Sequence, residues 1–222
     1  NTKILTEHDN ILDLASSYRF GSNDNSISLS TSRPLQTKLD ETVSVLDFGA
    51  VPDGSSDNVE AFQNALNQLF RNSDAKFKKV LLVPNGRYLF TGNLSIPSTA
   101  IIRGETRDGA VLEIGSNNIL FVTEDGQGVA EFNSTNRPRN INISNLTINH
   151  TSGQSVLTGV AESIFDNVKW ISEYELGDTV DSVTVRNASV YWENSLPGTK
   201  VTDITFKECL WQSTALGVRA ET

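Results

Sequence analysis

The chain has 222 residues and a formal net charge of −9, from 18 basic and 27 acidic side chains. This acidic balance argues against nucleic acid or an anionic membrane surface as the main partner. No apolar run is long enough to cross a bilayer, and the single cysteine, Cys209, excludes an internal disulfide framework. His8 and His150 are the only histidines and no glycine-rich phosphate loop is present, so the sequence predicts neither a metal site nor a cofactor.

The chain opens on a polar segment with little periodicity. Residues 1–33 carry turn signals, and residues 34–42 form a connector. No signal peptide of basic and then apolar residues is present and the first residue is not Met, so we expect a processed protein or a fragment. The predicted organisation is an N-terminal arm and connector over residues 1–42, followed by a folded domain over residues 43–222.

The first regular elements follow at the start of this domain. Val43–Leu46 is predicted to be a strand, and Asp53–Ser56 a turn. Asp57 is a good helix N-cap, and Glu60 completes a capping-box pattern. The apolar residues that then recur at helical spacing are Val59, Phe62, Leu66, Leu69 and Phe70. Such a helix suits the open end of a solenoid, because a terminal repeat needs a cover over its core.

Strands are predicted after Asn72. Their ranges are Val80–Val83, Arg87–Phe90, Ala100–Arg103, Ala110–Ile114 and Asn118–Val122. Beyond them, four segments between residues 141 and 211 align at a period of about twenty-one residues, which is typical of a solenoid. The anchor residues of the four segments are Asn145, Asn167, Asn187 and Glu208.

The apolar residues of each segment change face at its anchor. Positions −4 and −2 are mostly apolar before the anchor, and positions +1 and +3 after it. One straight strand cannot do this, because its side chains change face at every residue. Asn tolerates left-handed backbone angles, so each repeat is predicted to be strand, corner, strand and a looser return.

This pattern predicts an all-β fold, a right-handed parallel β-helix with an N-terminal capping α-helix, whose rungs stack about 4.8 Å apart. A leucine-rich repeat would need a Leu-x-x-Leu-x-Leu frame and a helical half, and neither is visible. The predicted inward column contains Ile148, Trp170, Val190 and Trp211. The predicted outward column before the corner contains Ser144, Asp166, Arg186 and Lys207, and it places an acid beside a base.

Several motifs resemble those of the pectate-lyase-like parallel β-helix superfamily. Residues 43–57, Val-Ser-Val-Leu-Asp-Phe-Gly-Ala-Val-Pro-Asp-Gly-Ser-Ser-Asp, followed by a helix, are similar to the opening of these proteins. Val83–Tyr88 and Ile102–Glu105 resemble their next two strand turns. The resemblance covers residues 43–114, and the repeats extend it to residue 212. Asn58 stands where many members have a second Asp, and we interpret it as part of the helix cap.

Within this superfamily the organisation is most similar to that of bacteriophage tailspikes and tail fibres. The resemblance implies a homotrimer in the virion tail, attached to other tail proteins through residues 1–42. It also implies binding of bacterial surface polysaccharide, capsule or O-antigen, and its depolymerisation by the complete protein. Ala215–Val218 is similar to the start of another strand, so we expect this chain to be the N-terminal part of a longer protein.

Two alternatives remain open. One is a secreted, extracellular polysaccharide lyase or glycoside hydrolase of the same superfamily, and the other is a non-catalytic structural adaptor of a virion tail. Neither reading includes nucleic acid binding or membrane insertion. Whether the chain is an enzyme also stays open at this point, because the superfamily includes several activities.

Glycan cleavage needs two carboxylates, or a carboxylate with a base. Glu173 and Glu193 both lie six positions past their anchors, so the register predicts that they stack in adjacent rungs about 5 Å apart, near the separation in a retaining glycosidase. The alternative is that both lie in return loops and point into solvent. Tyr174, Tyr191 and Trp192 lie beyond the inward columns and are predicted to stack against sugar rings.

Overall fold

A computed structural model of the chain describes residues 41–71, 79–124, 137–151, 153–172, 179–180, 183–184, 190–193, 201–212 and 216–219. The chain divides into two units, Asn1–Val43 and Ser44–Thr222. All described residues except 41–43 belong to the second unit, and the first strand described below, Thr42–Ser44, begins two residues before that unit.

Three parallel sheets build the unit. Sheet 1 contains β1 (Thr42–Ser44), β3 (Val80–Val83), β6 (Ile101–Gly104), β9 (Asn142–Ser144), β12 (Ala161–Asp166) and β17 (Thr202–Lys207). Sheet 2 contains β2 (Asp53–Asp57), β4 (Gly86–Leu89), β7 (Ala110–Gly115), β10 (Thr147–His150), β13 (Lys169–Ser172) and β18 (Leu210–Gln212). Sheet 3 contains β5 (Leu94–Pro97), β8 (Ile119–Val122), β11 (Ser155–Thr158), β16 (Val190–Glu193) and β19 (Leu216–Arg219).

The chain visits the three sheets in turn, so it winds as a parallel β-helix. The rungs of the helix are β1–β2, β3–β4–β5, β6–β7–β8, β9–β10–β11, β12–β13–β16 and β17–β18–β19, numbered here as rungs 1 to 6. The predicted fold class is therefore confirmed. The looser return that was expected in each repeat contains a third strand, as in β11, because the backbone groups of neighbouring returns also pair in register.

A helix closes the first rung, as predicted. It is α1 (Val59–Leu66), and it continues into a π-helical turn over Asn67–Arg71. Phe62 is buried, and its ring centroid lies 5.3 Å from that of Tyr88 and 4.9 Å from that of Phe90 in edge-to-face contacts. The apolar stripe of α1 thus covers the aromatic core of rung 2.

The start of this helix differs from the prediction. The N-cap residue is Asn58, and no side-chain hydrogen bond caps the helix from it. Asn58 is fully buried. Its Oδ1 accepts a hydrogen bond from the N–H of Val51, and its Nδ2 donates one to the carbonyl of Ser56. Asp57 accepts from the N–H groups of Val59 and Thr91, so its carboxylate joins the helix to rung 2 and makes no capping box with Glu60.

The predicted strand over Val43–Leu46 is also shorter than expected. Its second half belongs to a 3-10 helix over Val45–Phe48, because Ser44 and Asp47 form a capping box there. Asp53 accepts hydrogen bonds from the backbone N–H groups of Ser56 and Ser55, which hold the pKa of its carboxyl below the usual range. The Asp47 carboxylate therefore caps the 3-10 helix, and the Asp53 carboxylate binds the backbone of β2, where a turn is predicted from the sequence.

The segment anchored at Asn187 is not a rung of its own, contrary to the sequence alignment. β14 (Thr179–Val180) and β15 (Val183–Thr184) pair with each other as an antiparallel hairpin. The next strand, β16, lies in sheet 3 and pairs with β11. Val190 therefore belongs to a different sheet from Ile148, and it is not part of the predicted inward column. Asn187 and Arg186 lie outside the described residues.

Candidate functional site

The corner between sheets 1 and 2 fixes the register of the rungs. Asn145, Asn167 and Glu208 have φ angles of 54°, 53° and 53°, which is the left-handed region. Asn167 Nδ2 donates to Asn145 Oδ1 at 2.9 Å, so the two amides form a ladder. The prediction that these anchors lie in one file is confirmed for the three described anchors. Glu208 takes the same conformation without an amide side chain. The corner therefore requires a left-handed backbone angle and does not require asparagine.

The predicted columns on either side of this corner are present in rungs 4 to 6. Trp170 is fully buried, pairs in register with Ile148 and Trp211, and stacks on the Trp211 ring with centroids 5.8 Å apart. On the outer side, Asp166 pairs with Lys207, and Lys207 Nζ lies 3.3 Å from Asp166 Oδ2. Trp170 is therefore a core residue with no surface for a sugar.

The link from sheet 2 to sheet 3 is much longer in rung 5 than in its neighbours. It consists of residues 116–118 in rung 3 and of residues 151–154 in rung 4. In rung 5 it spans residues 173–189 and includes the β14–β15 hairpin. We name this link the rung-5 insertion. Insertions in solenoid repeats leave the stack on one face, which is often the binding face.

The five predicted site residues lie next to this insertion in the sequence. Glu173 and Tyr174 are its first two residues, and both lie outside the described residues. Tyr191, Trp192 and Glu193 belong to β16, the strand that follows the insertion. Two of the five therefore begin the insertion and three lie in the strand after it, and their roles remain predictions.

The predicted stacking of Glu173 and Glu193 in adjacent rungs is wrong. The strand before Glu173, β13, and the strand that contains Glu193, β16, are the second and third strands of the same rung. Glu193 pairs in register with Thr158 of rung 4 and Arg219 of rung 6. The prediction failed because it assigned the segment around Asn187 to a separate rung.

A carboxylate that the sequence did not single out lies on the outer face of sheet 2. Glu113 forms an ion pair with Arg87, and its Oε2 accepts from Asn149 Nδ2 at 2.8 Å. Only 15% of the Glu113 side chain is exposed, against 64% for Arg87. No sequence signal points to this cluster, because its members come from rungs 2, 3 and 4 and meet only through the strand register.

His150 is the last residue of β10, and its side chain is buried. Its Nε2 lies 3.0 Å from Ser155 Oγ, and both residues are fully buried. Burial lowers the pKa of His150 to about 4, and a backbone hydrogen bond at Asn117 offsets only part of this effect. The imidazole is therefore neutral at pH 7 and lies in the interior, where it serves the packing of rung 4.

Cys209 also has a structural environment. It is half-buried, and its Sγ donates to the carbonyl of Phe165 at 3.4 Å. Burial raises the pKa of the Cys209 thiol, so the nucleophilic thiolate is disfavoured at neutral pH. In the part of the chain that the structure describes, no group of three or more His, Cys, Asp and Glu side chains is placed to hold a metal ion. None of the described helices is long and apolar enough to cross a membrane.

A shallow groove of about 650 Å³ lies beside the capping helix, at the opposite end of the stack from rung 5. Its lining residues are Phe48, Asn64, Asn67, Gln68 and Arg71. Arg71 Nη1 donates to Asn67 Oδ1 at 3.0 Å, so its guanidinium is engaged with the helix surface. None of the described residues that line the groove is a carboxylate, so these residues do not supply the pair of acids that glycan cleavage needs.

Comparison with known proteins shows what this chain is similar to. Over 144 residues it is 31% identical to iota-carrageenase of Alteromonas macleodii. The aligned segment covers 52% of this chain and 28% of the enzyme. Over 143 residues it is 27% identical to the tail spike protein of Shigella phage Sf6. This alignment covers 61% of this chain and 22% of that protein. The chain thus spans less than a third of either relative.

Among solved structures, tailspike protein 3 of bacteriophage CBA120 matches 95% of this chain and 38% of its own, with 18% identity and a TM-score of 0.49. The model of one family, described as rhamnogalacturonase A/epimerase, pectate lyase-like, matches residues 42–220. This match covers the whole described solenoid, from β1 to β19. The chain therefore belongs to the rhamnogalacturonase A/epimerase, pectate lyase-like family.

Proposed function

We propose that this chain is part of a phage tailspike or tail fibre that binds bacterial surface polysaccharide, capsule or O-antigen, and that the complete protein depolymerises it. The observation that carries the proposal is the rung-5 insertion, a link from sheet 2 to sheet 3 that is much longer than the same link in rungs 3 and 4, in a solenoid of a glycan-active family. The similarity to a phage tail spike protein over 61% of the chain supports the assignment to a virion tail.

In this proposal Glu173 and Glu193 are the catalytic carboxylates. Glu173 is the first residue of the rung-5 insertion and Glu193 is the last residue of β16, the strand that follows it. Both hydrolysis and elimination of a glycan need an acid and a base on either side of the scissile bond. Tyr174, Tyr191 and Trp192 supply aromatic faces for sugar rings, since they adjoin the two glutamates in sequence. We also propose a homotrimer, with residues 1–42 attaching it to other virion tail proteins.

A second function is favoured by one specific observation. The chain is 31% identical over 144 residues to an iota-carrageenase, so a secreted extracellular enzyme acting on polysaccharide is the alternative. The same two glutamates would carry its chemistry. A third reading, a structural adaptor without activity, differs from both in that it predicts no shortening of any glycan.

In the experiment, the purified chain and the complete gene product are each incubated with a panel of capsular polysaccharides, O-antigens and iota-carrageenan. Binding is measured by calorimetry and chain shortening by size-exclusion chromatography. We expect binding and shortening of a surface polysaccharide. Glu173→Gln and Glu193→Gln should each lower the rate by about a thousandfold and leave binding intact, because each removes a general acid or base. Glu208→Gln, at an exposed corner of rung 6, is the matched control and should keep the rate.

The outcomes separate the three readings. Shortening of iota-carrageenan alone would replace the virion proposal by the secreted enzyme, and binding without shortening would leave the structural adaptor. Full activity of Glu173→Gln and Glu193→Gln would remove the catalytic assignment. Light scattering on the same preparation should give the mass of three chains, and the mass of one chain would contradict the trimer.

A further inference from the structure

The loop between β6 and β7, residues 105–109, runs across the outside of the corner between sheets 1 and 2. We name it the strap. It leaves rung 3 and makes hydrogen bonds to rungs 2, 4 and 5. In a parallel solenoid the strand ladders join only adjacent rungs, so a tie from rung 3 to rung 5 adds a link that the ladders do not provide.

The first half of the strap is fixed to rung 2. Glu105 Oε2 accepts from the N–H of Asn85 at 2.9 Å, and Thr106 Oγ1 donates to Asn85 Oδ1 at 2.8 Å. Where the strap ends, the N–H of Gly86 donates to the carbonyl of Gly109 at 2.8 Å. These bonds hold both ends of the strap against one turn of rung 2, so that its middle is presented to the later rungs.

The middle of the strap reaches rungs 4 and 5. Thr147 Oγ1 donates to the carbonyl of Arg107 at 2.7 Å, and Thr147 is only 2% exposed although its neighbours in register lie on the outer face. Arg107 Nη1 donates to Asn167 Oδ1 at 3.0 Å. Asp108 Oδ1 lies 3.4 Å from Lys169 Nζ, and Asp108 Oδ2 lies 3.3 Å from Arg107 Nη2.

We infer that the strap is a register clamp, which holds the corner of rung 5 and the start of β13 against rungs 2 and 3. Both of its rung-5 contacts, Asn167 and Lys169, lie within the corner and the first residue of that strand. β13 is the strand that leads into the rung-5 insertion. If the proposed function holds, the clamp fixes the strand that precedes the first glutamate in the sequence, but the clamp itself follows from the contacts alone.

The test is hydrogen exchange of the free chain, without any glycan. Arg107→Met removes the contact with Asn167, and we expect amide exchange in residues 167–172 to become about fivefold faster, since a charged hydrogen bond across the corner is lost. Exchange in β5 of rung 2 should not change. Lys207→Met is the matched control. It breaks an ion pair of similar length between the adjacent rungs 5 and 6, and it should change exchange in residues 167–172 by no more than about twofold.

Asp108→Asn gives a second, milder variant in case Arg107→Met does not fold, and it should accelerate exchange in the same residues. The clamp is contradicted if neither variant exceeds the Lys207→Met control. It is also contradicted if exchange rises equally in all rungs, because the strap would then add only general stability. Since no glycan is present, these outcomes are independent of whether the chain binds or cleaves polysaccharide.

Discussion

His150 shows how one buried side chain makes the stability of this solenoid depend on pH. The imidazole is fully buried beside Ser155, and its pKa of about 4 lies below the value of 6.5 of an exposed histidine. Between these two values the unfolded chain binds a proton that the folded chain does not bind. The free energy of unfolding therefore falls as the pH drops from 6.5 towards 4, and above 6.5 this group has no effect.

We expect His150→Asn to remove this part of the pH dependence. Between pH 7 and pH 5, His150 should lower the unfolding free energy of the wild-type chain by about 2 kcal/mol. In the variant, the fall over the same pH range should be smaller by about 2 kcal/mol. The measurement is urea denaturation at the two pH values. Ser155→Ala is the control, because it keeps the titrating imidazole and should keep the pH dependence. Equal losses in the wild type and His150→Asn would show that His150 is not the responsible group.

At the scale of one element, α1 takes the place that a third strand occupies in the later rungs. Sheet 3 begins with β5 of rung 2, so one edge of that strand faces the helix. Gln63 covers it: its Nε2 donates to the carbonyl of Ser95 at 3.1 Å, and its Oε1 accepts from the N–H of Ser95 at 3.1 Å. The side-chain amide thus makes the two hydrogen bonds that a neighbouring strand would make.

Gln63→Met should therefore cost about 2 kcal/mol of unfolding free energy. It removes both bonds and leaves the N–H and carbonyl of Ser95 without these partners at a half-buried edge. Gln68→Met, on the exposed side of the π-helical turn, is the matched control and should cost less than about 0.5 kcal/mol. Both values come from denaturant titration, and similar values for the two variants would disprove the role of Gln63 as an edge cover.

The elements that could be predicted are those whose signal is local. The stripe of α1 and the strand Val80–Val83 follow from side-chain periodicity within one segment. The third strand of rung 3, β8, was also predicted, but the third strand of rung 4, β11, was not, because its partners β8 and β16 are far away in sequence. The repeat at Asn187 misled the prediction because Val183–Thr184 pairs with the nearby Thr179–Val180, which a pattern of apolar residues cannot exclude.

The same limit applies to the candidate site. The repeat register singles out Glu173 and Glu193. Rung 5 contains an insertion between β13 and β16, and the repeat pattern does not show it. The Arg87–Glu113 pair and the strap contact between Arg107 and Asn167 join residues from different rungs. Such contacts depend on how the coils stack, and that information is not present in any single repeat.

At the scale of the whole molecule, the solenoid is a stack in which each rung contacts mainly its neighbours. Two aromatic columns run through rungs 5 and 6: Phe165 stacks on Phe206 at 5.1 Å, and Trp170 stacks on Trp211 at 5.8 Å between ring centroids. Phe165 also contacts Phe121 of rung 3 at 5.9 Å. The stability of such a stack is close to a sum of rung and interface terms, so damage should spread mainly to the rungs that contact the changed residue.

This predicts different results for two matched substitutions. Trp170→Leu leaves a cavity at a fully buried position and should cost about 3 kcal/mol, whereas Trp211→Leu, at a half-exposed position in rung 6, should cost about 1 kcal/mol. In hydrogen exchange, Trp211→Leu should loosen rungs 5 and 6 and leave β4 and β7 protected, because Trp211 stacks on Trp170 of rung 5 and contacts Phe206 of rung 6. Trp170→Leu should also loosen β10 of rung 4, which pairs with β13. If either variant instead accelerated exchange in all rungs equally, the unit would unfold as a single cooperative block, and the description of the fold as a stack of separately contributing rungs would fail.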